Sequence, residues 1–421
     1  MLSGATYHAF HNTKIPIFVC GGTKMLRAHK IRLYPNNKQE THLLQSCGVA
    51  RFSYNWALGE WGRQYKEGLK PSEMSLRKQL NAVKREEFPW MMDVSKCAPQ
   101  EAIINLGIAF KNFFAGRAKY PRFKKKGRRD SFKLTVGQFE VKNFKIRIPK
   151  IGLVKMREAL RFSGRPVSVT ISRIADEWYA SIAVETNDLP AKCENQAAVG
   201  VDLGIKMLAT FSDDRQSIEG AKAFKVLLPR LRRLSRSVSR KVKGSCNRKK
   251  AVLKLAKLHA RIANVRNDSI HKLTTMLTSS YAWIAIEDLN VKGMMSNGKL
   301  ARHIADGAFS EVRRQLEYKA KMRENHVAVV SRWFPSSKTC NVCGCINKFL
   351  TLADREWTCL GCGAVHDRDK NAAKNILAVS CTVTACGGNG AGSGRKTGTK
   401  LSPVKQEYSS KSTFNQICVG L

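Results

Sequence analysis

The chain reads Ala-Val-Gly-Val-Asp-Leu-Gly-Ile-Lys-Met-Leu-Ala-Thr-Phe-Ser from Ala198 to Ser212. Asp202 follows four residues that are apolar or glycine, and a second apolar run begins a few residues later. This pattern predicts a buried strand, a tight turn and a second strand. A carboxylate at the end of a buried strand costs free energy unless a partner compensates its charge. Asp202 is therefore a candidate functional residue, and a catalytic domain is predicted to start at this strand.

Two further acidic residues have similar settings. Glu287 ends the apolar run Ala282-Trp-Ile-Ala-Ile286, and Asp369 precedes a helical pattern in His366-Asp-Arg-Asp-Lys-Asn-Ala-Ala-Lys-Asn-Ile376. Singly, an acid after a strand is more often a turn or cap residue. Together, carboxylates from separate elements can bind a hard cation such as Mg²⁺ and leave positions for phosphate and water. Two such ions roughly 4 Å apart can activate water and stabilise the leaving 3′ oxygen of a phosphodiester. The three acids are therefore candidates for a metal-dependent nuclease site.

The order of the predicted elements indicates the fold. In chain order they are the strand with Asp202, a hairpin to Ser212, basic helices, the strand ending at Glu287, a helix over 309–326, a strand over 327–330, a cysteine-rich segment and the helix opened by Asp369. This is the order expected of an RNase H-like α/β domain with an insertion before its last helix.

The insertion contains the strongest local motif of the chain. Cys340-Asn-Val-Cys343 and Cys359-Leu-Gly-Cys362 are two C-x2-C pairs separated by 15 residues, as in a zinc ribbon. Four thiolates complete a closed tetrahedral Zn²⁺ site, which stabilises a fold and leaves no position for substrate. Chance spacing or a redox pair is the alternative, and Cys345 is close enough to compete as a ligand. We predict a structural zinc.

The charge of the chain indicates a polyanionic partner. The sequence has 74 Lys and Arg against 32 Asp and Glu, a formal net charge of +42. Nucleic acid fits better than a membrane, because no stretch approaches the roughly 20 apolar residues of a spanning helix. The less specific alternative is a basic protein of the ribosomal kind, which would also bind nucleic acid.

Two segments carry much of this charge. Residues 119–129 form a basic loop with interleaved aromatics, and residues 222–266 contain sixteen Lys or Arg and no Asp or Glu. The second segment has apolar stripes broken at Gly244-Ser245, which predicts a basic helical hairpin. The predicted nucleic-acid contacts are Lys124, Lys125, Lys126, Arg128, Arg129, Arg232, Arg233, Arg240, Lys241, Lys249 and Lys250.

The first half of the chain has a different pattern. Residues 37–116 have helical spacing, whereas the run 28–34 and the runs between 132 and 184 have strand patterns and predict an antiparallel β module. Residues 40–58 could be a helix-turn-helix with its turn at Gly48, but they lack a clear recognition helix and are assigned to the helical block.

Four motifs carry a resemblance to a known family. They are Gly200-Val-Asp202-Leu-Gly204, Ile286-Glu287-Asp-Leu289, Pro335-Ser-Ser-Lys-Thr-Cys340-Asn-Val-Cys343-Gly, and Cys359-x-x-Cys362-Gly-x-x-His366-Asp-Arg-Asp369-x-Asn371-Ala-Ala. On these motifs the chain, from Met25 to about Leu377, resembles the TnpB proteins of bacterial insertion sequences. These are also called OrfB transposase-like proteins and are related to the type V CRISPR effector nucleases.

The resemblance implies a RuvC-type catalytic triad. It falls on Asp202, Glu287 and Asp369, because the third acid stands two positions before an Asn-Ala pair; Asp367 is the less favoured candidate. Asp288 is a neighbour whose side chain should point away from that of Glu287. The implied cofactors are a structural Zn²⁺ and catalytic Mg²⁺, as one ion or two, with Mn²⁺ as a substitute.

The resemblance also implies an activity. TnpB proteins look like RNA-guided endonucleases that use RNA from the end of their own element, recognise a short motif beside a double-stranded DNA target and cut it. The chain is then expected in the bacterial cytoplasm, at the nucleoid and without a membrane, and the lack of a signal peptide agrees. The alternatives are a non-cleaving DNA- or RNA-binding accessory or regulator of transposition, or a transposase that acts directly in DNA recombination.

The expected architecture follows from the resemblance. It is an α/β RNase H-like (RuvC) nuclease domain with an inserted zinc ribbon, plus an N-terminal helical recognition lobe and an antiparallel β (wedge-type) module. The predicted boundaries are an N-terminal extension over 1–24, the wedge-type module over 25–36 and 119–190, the recognition lobe over 37–118, the nuclease domain over 197–334 and 364–380, the ribbon over 335–363 and a disordered tail over 381–421.

Overall fold

The computed structural model describes residues 25–187, 190–351 and 353–385 of the chain. The chain divides into two compact units, Met1–Leu189 and Pro190–Leu421. The predicted extension over 1–24 lies outside the described residues, as do residues 386–421 of the predicted tail.

The N-terminal unit combines helices with one antiparallel sheet. Its elements are β1 (Met25–Tyr34), α1 (Asn37–Lys66), α2 (Glu73–Val83), a 3-10 turn (Pro89–Asp93), α3 (Cys97–Phe114), β2 (Ser131–Thr135), β3 (Glu140–Lys142), β4 (Lys145–Ile148), β5 (Gly152–Met156), β6 (Arg165–Ile174) and β7 (Glu177–Thr186). The strand order is β2-β6-β7-β1-β5-β4-β3. Strand β1 therefore pairs within the same sheet as the strands that follow the helices.

Helix α1 is one continuous helix. Its start is fixed by a capping box, in which Asn36 Oδ1 accepts from Gln39 N at 2.9 Å and Gln39 Oε1 accepts from Asn36 N at 3.1 Å. The helix continues through Gly48 without a turn, which agrees with the assignment of residues 40–58 to the helical block. A single glycine costs a helix only about 1 kcal/mol, and buried side chains such as Leu43 and Leu58 on either side pack into the core of the unit.

The C-terminal unit follows the predicted order of elements. They are β8 (Ala198–Asp202), β9 (Thr210–Phe211), α4 (Ala223–Ser239), α5 (Cys246–Ser280), β10 (Trp283–Glu287), α6 (Val291–Met295), α7 (Ala301–Gly307), α8 (Phe309–Arg323), β11 (His326–Val330), β12 (Glu356–Thr358), β13 (Val365–Asp367) and α9 (Arg368–Ala385). The main sheet has the order β11-β10-β8-β9. Its first three strands are parallel, and β9 is antiparallel to β8.

Side-chain alternation places helices on both faces of this sheet. Val199 and Ile284 share a core with side chains of α5 and α8. The residues next to them face the other way, where Ala285 packs with Ile376 of α9. The result is a three-layer α/β arrangement, in which α5 and α8 pack on one face of the sheet and α9 packs on the opposite face.

Gly200 allows α9 to lie directly on β8. A Cβ atom at this position would stand 2.0 Å from the carbonyl oxygen of Ala373 and 2.9 Å from the amide nitrogen of Leu377. These are backbone atoms of a helix, so they cannot rotate away. The glycine after the first valine of the strand therefore sets the distance between the sheet and the helix that begins at Asp369.

We expect Gly200→Ala to lower the free energy of unfolding of the C-terminal unit by about 3 kcal/mol or more, because overpacking at a rigid contact forces backbone shifts. Gly59→Ala in α1 is the control, since its Cβ would meet nothing within 4 Å. The control should raise stability by about 0.5–1 kcal/mol. Urea unfolding of the two variants measures both effects, and equal stabilities would contradict this explanation of Gly200.

The basic segment forms the helical hairpin of α4 and α5. The apolar stripe of Leu227, Leu231 and Leu234 packs against Leu258 and Ile262. Arg248 closes the turn between the helices, donating from Nη1 to the carbonyl oxygens of Val238 at 2.7 Å and Lys241 at 2.8 Å. The prediction of a hairpin broken near Gly244 is confirmed.

The structure differs from the prediction at the end of helix α9 and at two short strands. Helix α9 continues to Ala385, so the prediction of a disordered tail over 381–421 is wrong for residues 381–385. Residues 381–385 contain no glycine or proline, and the glycine-rich sequence that indicated the tail begins only at Gly387. Strands β3 and β5 were not predicted; β3 is only three residues long and buries none of its side chains.

Candidate active site

The three predicted acids come together at one edge of the C-terminal sheet. Strands β8 and β10 are parallel neighbours in which Ile286 pairs with Val201. Asp202 and Glu287 are the next residues on each strand, so they leave the sheet at the same edge. Asp369 stands in the first turn of α9, the helix that packs on β8 at Gly200.

The electrostatics of Asp202 reflect this convergence. Burial, followed by the negative charges of Asp369 and Glu287, raises the pKa of Asp202 from its ordinary value of 3.8 to about 7. Burial also raises the pKa of Glu287, and the Ser336 hydroxyl beside its carboxylate opposes this shift. Like charges crowded away from water favour a cation between them, and oxygen ligands favour a hard divalent one. The three residues therefore fit a Mg²⁺ or Mn²⁺ site.

Two arginines contact Asp369. Arg368 Nη2 lies 3.1 Å from Asp369 Oδ1, and Arg355 Nη1 lies 3.4 Å from Asp369 Oδ2. Arg355 belongs to the cysteine-rich segment, and its carbonyl oxygen accepts from the Arg368 amide at 2.7 Å. Sequence reasoning missed Arg355, since nothing in its local pattern shows that it folds back onto the start of α9.

The two neighbouring acids have other partners. Asp288 Oδ1 lies 2.6 Å from Arg313 Nη1, and its Oδ2 accepts from Arg332 Nε at 2.9 Å. Asp367 is exposed, and its Oδ1 accepts from the amide of Lys370 at 2.8 Å, which caps the start of α9. This geometry favours Asp369 over Asp367 as the third acid of the site.

The raised pKa of Asp202 gives a pH dependence with a defined sign. The folded state holds the proton of Asp202 more tightly than the unfolded chain, so the contribution of Asp202 to the stability of the metal-free protein should fall as pH rises from about 4 to about 7. Asp202→Asn should remove this fall. We expect the variant to exceed the wild type in unfolding temperature at about pH 8 and to match it at about pH 4. Thermal unfolding without added divalent cations measures this, and a difference that is independent of pH would contradict it.

The four predicted zinc ligands form a second cluster. The Sγ atoms of Cys340, Cys343, Cys359 and Cys362 all lie within 4.8 Å of one another. Cys345 is not a member of this group, and its carbonyl oxygen accepts from the Cys340 amide at 2.8 Å.

Each half of the cluster is the same local turn, Cys-x-x-Cys-Gly. Gly344 has φ of 75° and donates to the carbonyl oxygen of Cys340, while Gly363 has φ of 70° and donates to that of Cys359, both at 2.9 Å. A left-handed glycine lets the chain reverse directly after the second thiol. The motif thus places two sulfur atoms on one side of each turn.

The predicted nucleic-acid residues lie in two places. In the N-terminal unit, residues 124–129 are exposed on a loop, and Lys124 Nζ lies 3.9 Å from the centroid of the buried Tyr54 ring. Asn55 fixes this loop, with Oδ1 accepting from the Lys124 amide at 2.7 Å. On the α4–α5 hairpin, Lys241 is half-buried. The exposed predicted residues of the hairpin are Arg232, Arg233, Arg240, Lys249 and Lys250.

The length and composition of the helices were compared with those of membrane-spanning helices. Among the residues described, none of them has both the length and the apolar character needed to cross a bilayer.

Three family models match the chain. The one described as a probable transposase, OrfB_IS605, matches residues 181–298, and the one described as a Cas12f1-like TNB domain matches residues 309–376. A third, described as a helix-turn-helix domain, matches residues 25–70, which here form β1 and the continuous helix α1.

Similar proteins cover most of the chain. A protein of Streptomyces pristinaespiralis named "Putative RNA-guided DNA endonuclease" is 41% identical over 388 residues, covering 90% of this chain and 96% of the relative. "Putative RNA-guided DNA endonuclease InsQ" of Escherichia coli strain K12 is 34% identical over 382 residues, covering 86% and 94%.

A solved structure shares the fold. The Cas12f1 chain of a cryo-EM complex with sgRNA and target DNA aligns with a TM-score of 0.53 at 12% identity, covering 84% of this chain and 99% of that one. At this identity the likeness concerns the fold alone. The extent and identity of the matches to the curated relatives decide the family: the chain belongs to the OrfB_IS605 family, the TnpB proteins.

Proposed function

We propose that this chain is a transposon-encoded RNA-guided DNA endonuclease that hydrolyses phosphodiester bonds with divalent metal ions bound to Asp202, Glu287 and Asp369. The observation that carries the proposal is the convergence of these acids at one sheet edge, with a pKa of about 7 for Asp202. The names of the relatives support it. The proposed site of action is the bacterial cytoplasm, at the nucleoid.

The proposed mechanism assigns each side chain a task. Bound Mg²⁺, or Mn²⁺ in its place, would supply an activated water and charge stabilisation at the phosphate. Asp202 and Glu287 hold their carboxylates on the ends of paired strands, which fixes their separation. The Ser336 hydroxyl lies beside Glu287 and lowers its pKa, and Arg355 and Arg368 hold the carboxylate of Asp369.

The proposed partners are a guide RNA from the end of the element and a double-stranded DNA target. The net charge of +42 suits partners that carry one negative charge per nucleotide. The exposed lysines and arginines of the 124–129 loop and of the α4–α5 hairpin are the proposed phosphate contacts. The cysteine cluster is proposed to bind one structural Zn²⁺, because four sulfur ligands suit zinc and leave no open position.

Sequencing the RNA that copurifies with the protein tests this function directly. We expect one dominant RNA class, and we expect the purified complex to cut plasmid DNA that matches its variable end when Mg²⁺ is present. Tight binding of matched DNA without a cut would instead support the accessory protein. Joined strands in place of free ends would support a transposase.

A further inference from the structure

Helix α9 carries two buried amide side chains that the proposed metal sites do not use. Asn371 is 2% exposed and Asn375 is 6% exposed. They are four residues apart, so they lie on the same side of the helix. A buried amide is retained only where its donors and acceptor are satisfied, and both of these have short hydrogen bonds.

Both amides bind one segment, residues 336–341, which we call the bridging turn. Asn371 Nδ2 donates to the Thr339 carbonyl oxygen at 2.8 Å, and the Asn341 amide donates to Asn371 Oδ1 at 3.0 Å. Asn375 Nδ2 donates to the carbonyl oxygens of Ser336 at 2.8 Å and Thr339 at 2.6 Å. The bridging turn is thus fixed to α9 by four hydrogen bonds.

The bridging turn also carries one group for each proposed metal site. Ser336, at its start, has its hydroxyl beside the Glu287 carboxylate and lowers the pKa of that group. Cys340, near its end, is a member of the cysteine cluster. The helix to which the turn is bound begins at Asp369. One short segment therefore connects an acid from β10, an acid from α9 and the cysteine cluster.

We infer that Asn371 and Asn375 are positioning residues that couple the cysteine cluster to the nuclease acids. By holding the bridging turn against α9, they fix Ser336 and Cys340 relative to Asp369, which lies at the start of the same helix. Loosening this contact should weaken the binding of divalent cations at the three acids without changing the affinity for target DNA. The inference rests on the proposed function, because it assumes that the three acids bind the catalytic metal.

The test is the affinity of the purified full-length protein for Mn²⁺, measured by electron paramagnetic resonance, which requires no cleavage. We expect Asn375→Ala to weaken Mn²⁺ binding by about tenfold or more and to raise the Mn²⁺ concentration for half-maximal cleavage to the same degree. Target affinity should stay within about twofold, and the cysteine cluster should keep its metal. Asn371→Ala leaves both hydrogen bonds of Asn375 in place, so it provides a second variant if Asn375→Ala does not fold.

A merely structural role predicts a different outcome. Thr278→Val is the matched control, because Thr278 is also fully buried and its hydroxyl donates within α5 to Thr274, away from the bridging turn. It should lower thermal stability without changing Mn²⁺ affinity. The same result for both asparagine variants would overturn the inference.

Ser336→Ala identifies the route of the coupling. It removes only the hydroxyl beside Glu287. The double variant Ser336→Ala/Asn375→Ala should bind Mn²⁺ only slightly more weakly than Asn375→Ala alone. Full additivity would overturn the route through Ser336. Asp202→Ala separates the two proposals. If this variant binds Mn²⁺ as tightly as the wild type, the proposed metal site itself is wrong. If Asp202→Ala loses Mn²⁺ binding but both asparagine variants bind Mn²⁺ as the wild type does, only the coupling is contradicted.

Discussion

Replacing Asp202 with Ala is expected to reduce Mg²⁺-dependent DNA cleavage by about 10³-fold or more, while binding of guide and target stays within a few-fold. A catalytic metal contributes several kcal/mol to the transition state, and each 1.36 kcal/mol is a factor of ten in rate. Asp202 ends β8, and the negative charges of Asp369 and Glu287 both act on its carboxylate, so its loss removes one oxygen ligand from the proposed metal site. Single-turnover cleavage of labelled target, with filter binding in parallel, measures both quantities.

Asp367→Asn is the matched control for the third acid. Asp367 stands two residues before Asp369, but its carboxylate is exposed and caps the Lys370 amide. The variant should lose at most about 1–2 kcal/mol of stability and should cut at a rate within tenfold of the wild type. Asp369→Asn should lose cleavage as Asp202→Ala does. Equal losses for both asparagine variants would contradict the assignment of Asp369.

Replacing the buried Cys359 with Ser is expected to release one equivalent of bound metal and to unfold residues 335–363. A structural zinc contributes about 10–16 kcal/mol to the folding of small zinc domains, far more than a core substitution. The hydrophobic core of this segment is small, because among its described residues the buried hydrophobic side chains are Cys340, Leu350, Trp357 and Cys359. Metal analysis and limited proteolysis measure the effect.

Cys345→Ser is the control for this prediction. Cys345 lies two residues from Cys343, but it is outside the group of four sulfur atoms. The variant should keep one equivalent of metal and resist the protease as the wild type does. Loss of metal in Cys345→Ser, or its full retention in Cys359→Ser, would mean that the four ligands are wrongly assigned.

Sequence patterns predicted the parts of the site that depend on local structure. Strands β8 and β10 are short apolar runs that each end in an acid, and this pattern placed Asp202 and Glu287 correctly at strand ends. The repeated Cys-x-x-Cys-Gly turn determines its own geometry, so spacing alone was enough to group four cysteines. Parallel pairing of β8 and β10 then follows from the order of elements.

Contacts between distant segments could not be predicted in this way. Arg355 reaches Asp369 and Ser336 reaches Glu287 only because the cysteine-rich segment folds back onto α9, and neither residue stands in a pattern that reveals it. Gly48 does not interrupt α1, since tertiary packing of this helix outweighs the cost of one glycine. The first turns of the predicted tail were misjudged because composition indicates where order ends only to within a few residues.

The most direct test of the central claim, that Asp202, Glu287 and Asp369 bind the catalytic metal, is an anomalous-scattering map of crystals of the guide-bound protein soaked with Mn²⁺. We predict an anomalous peak within coordination distance of the carboxylates of all three residues, and no such peak in crystals of Asp202→Ala. Crystals with no peak at these carboxylates, grown from protein that cuts its target at the same Mn²⁺ concentration, would contradict the claim.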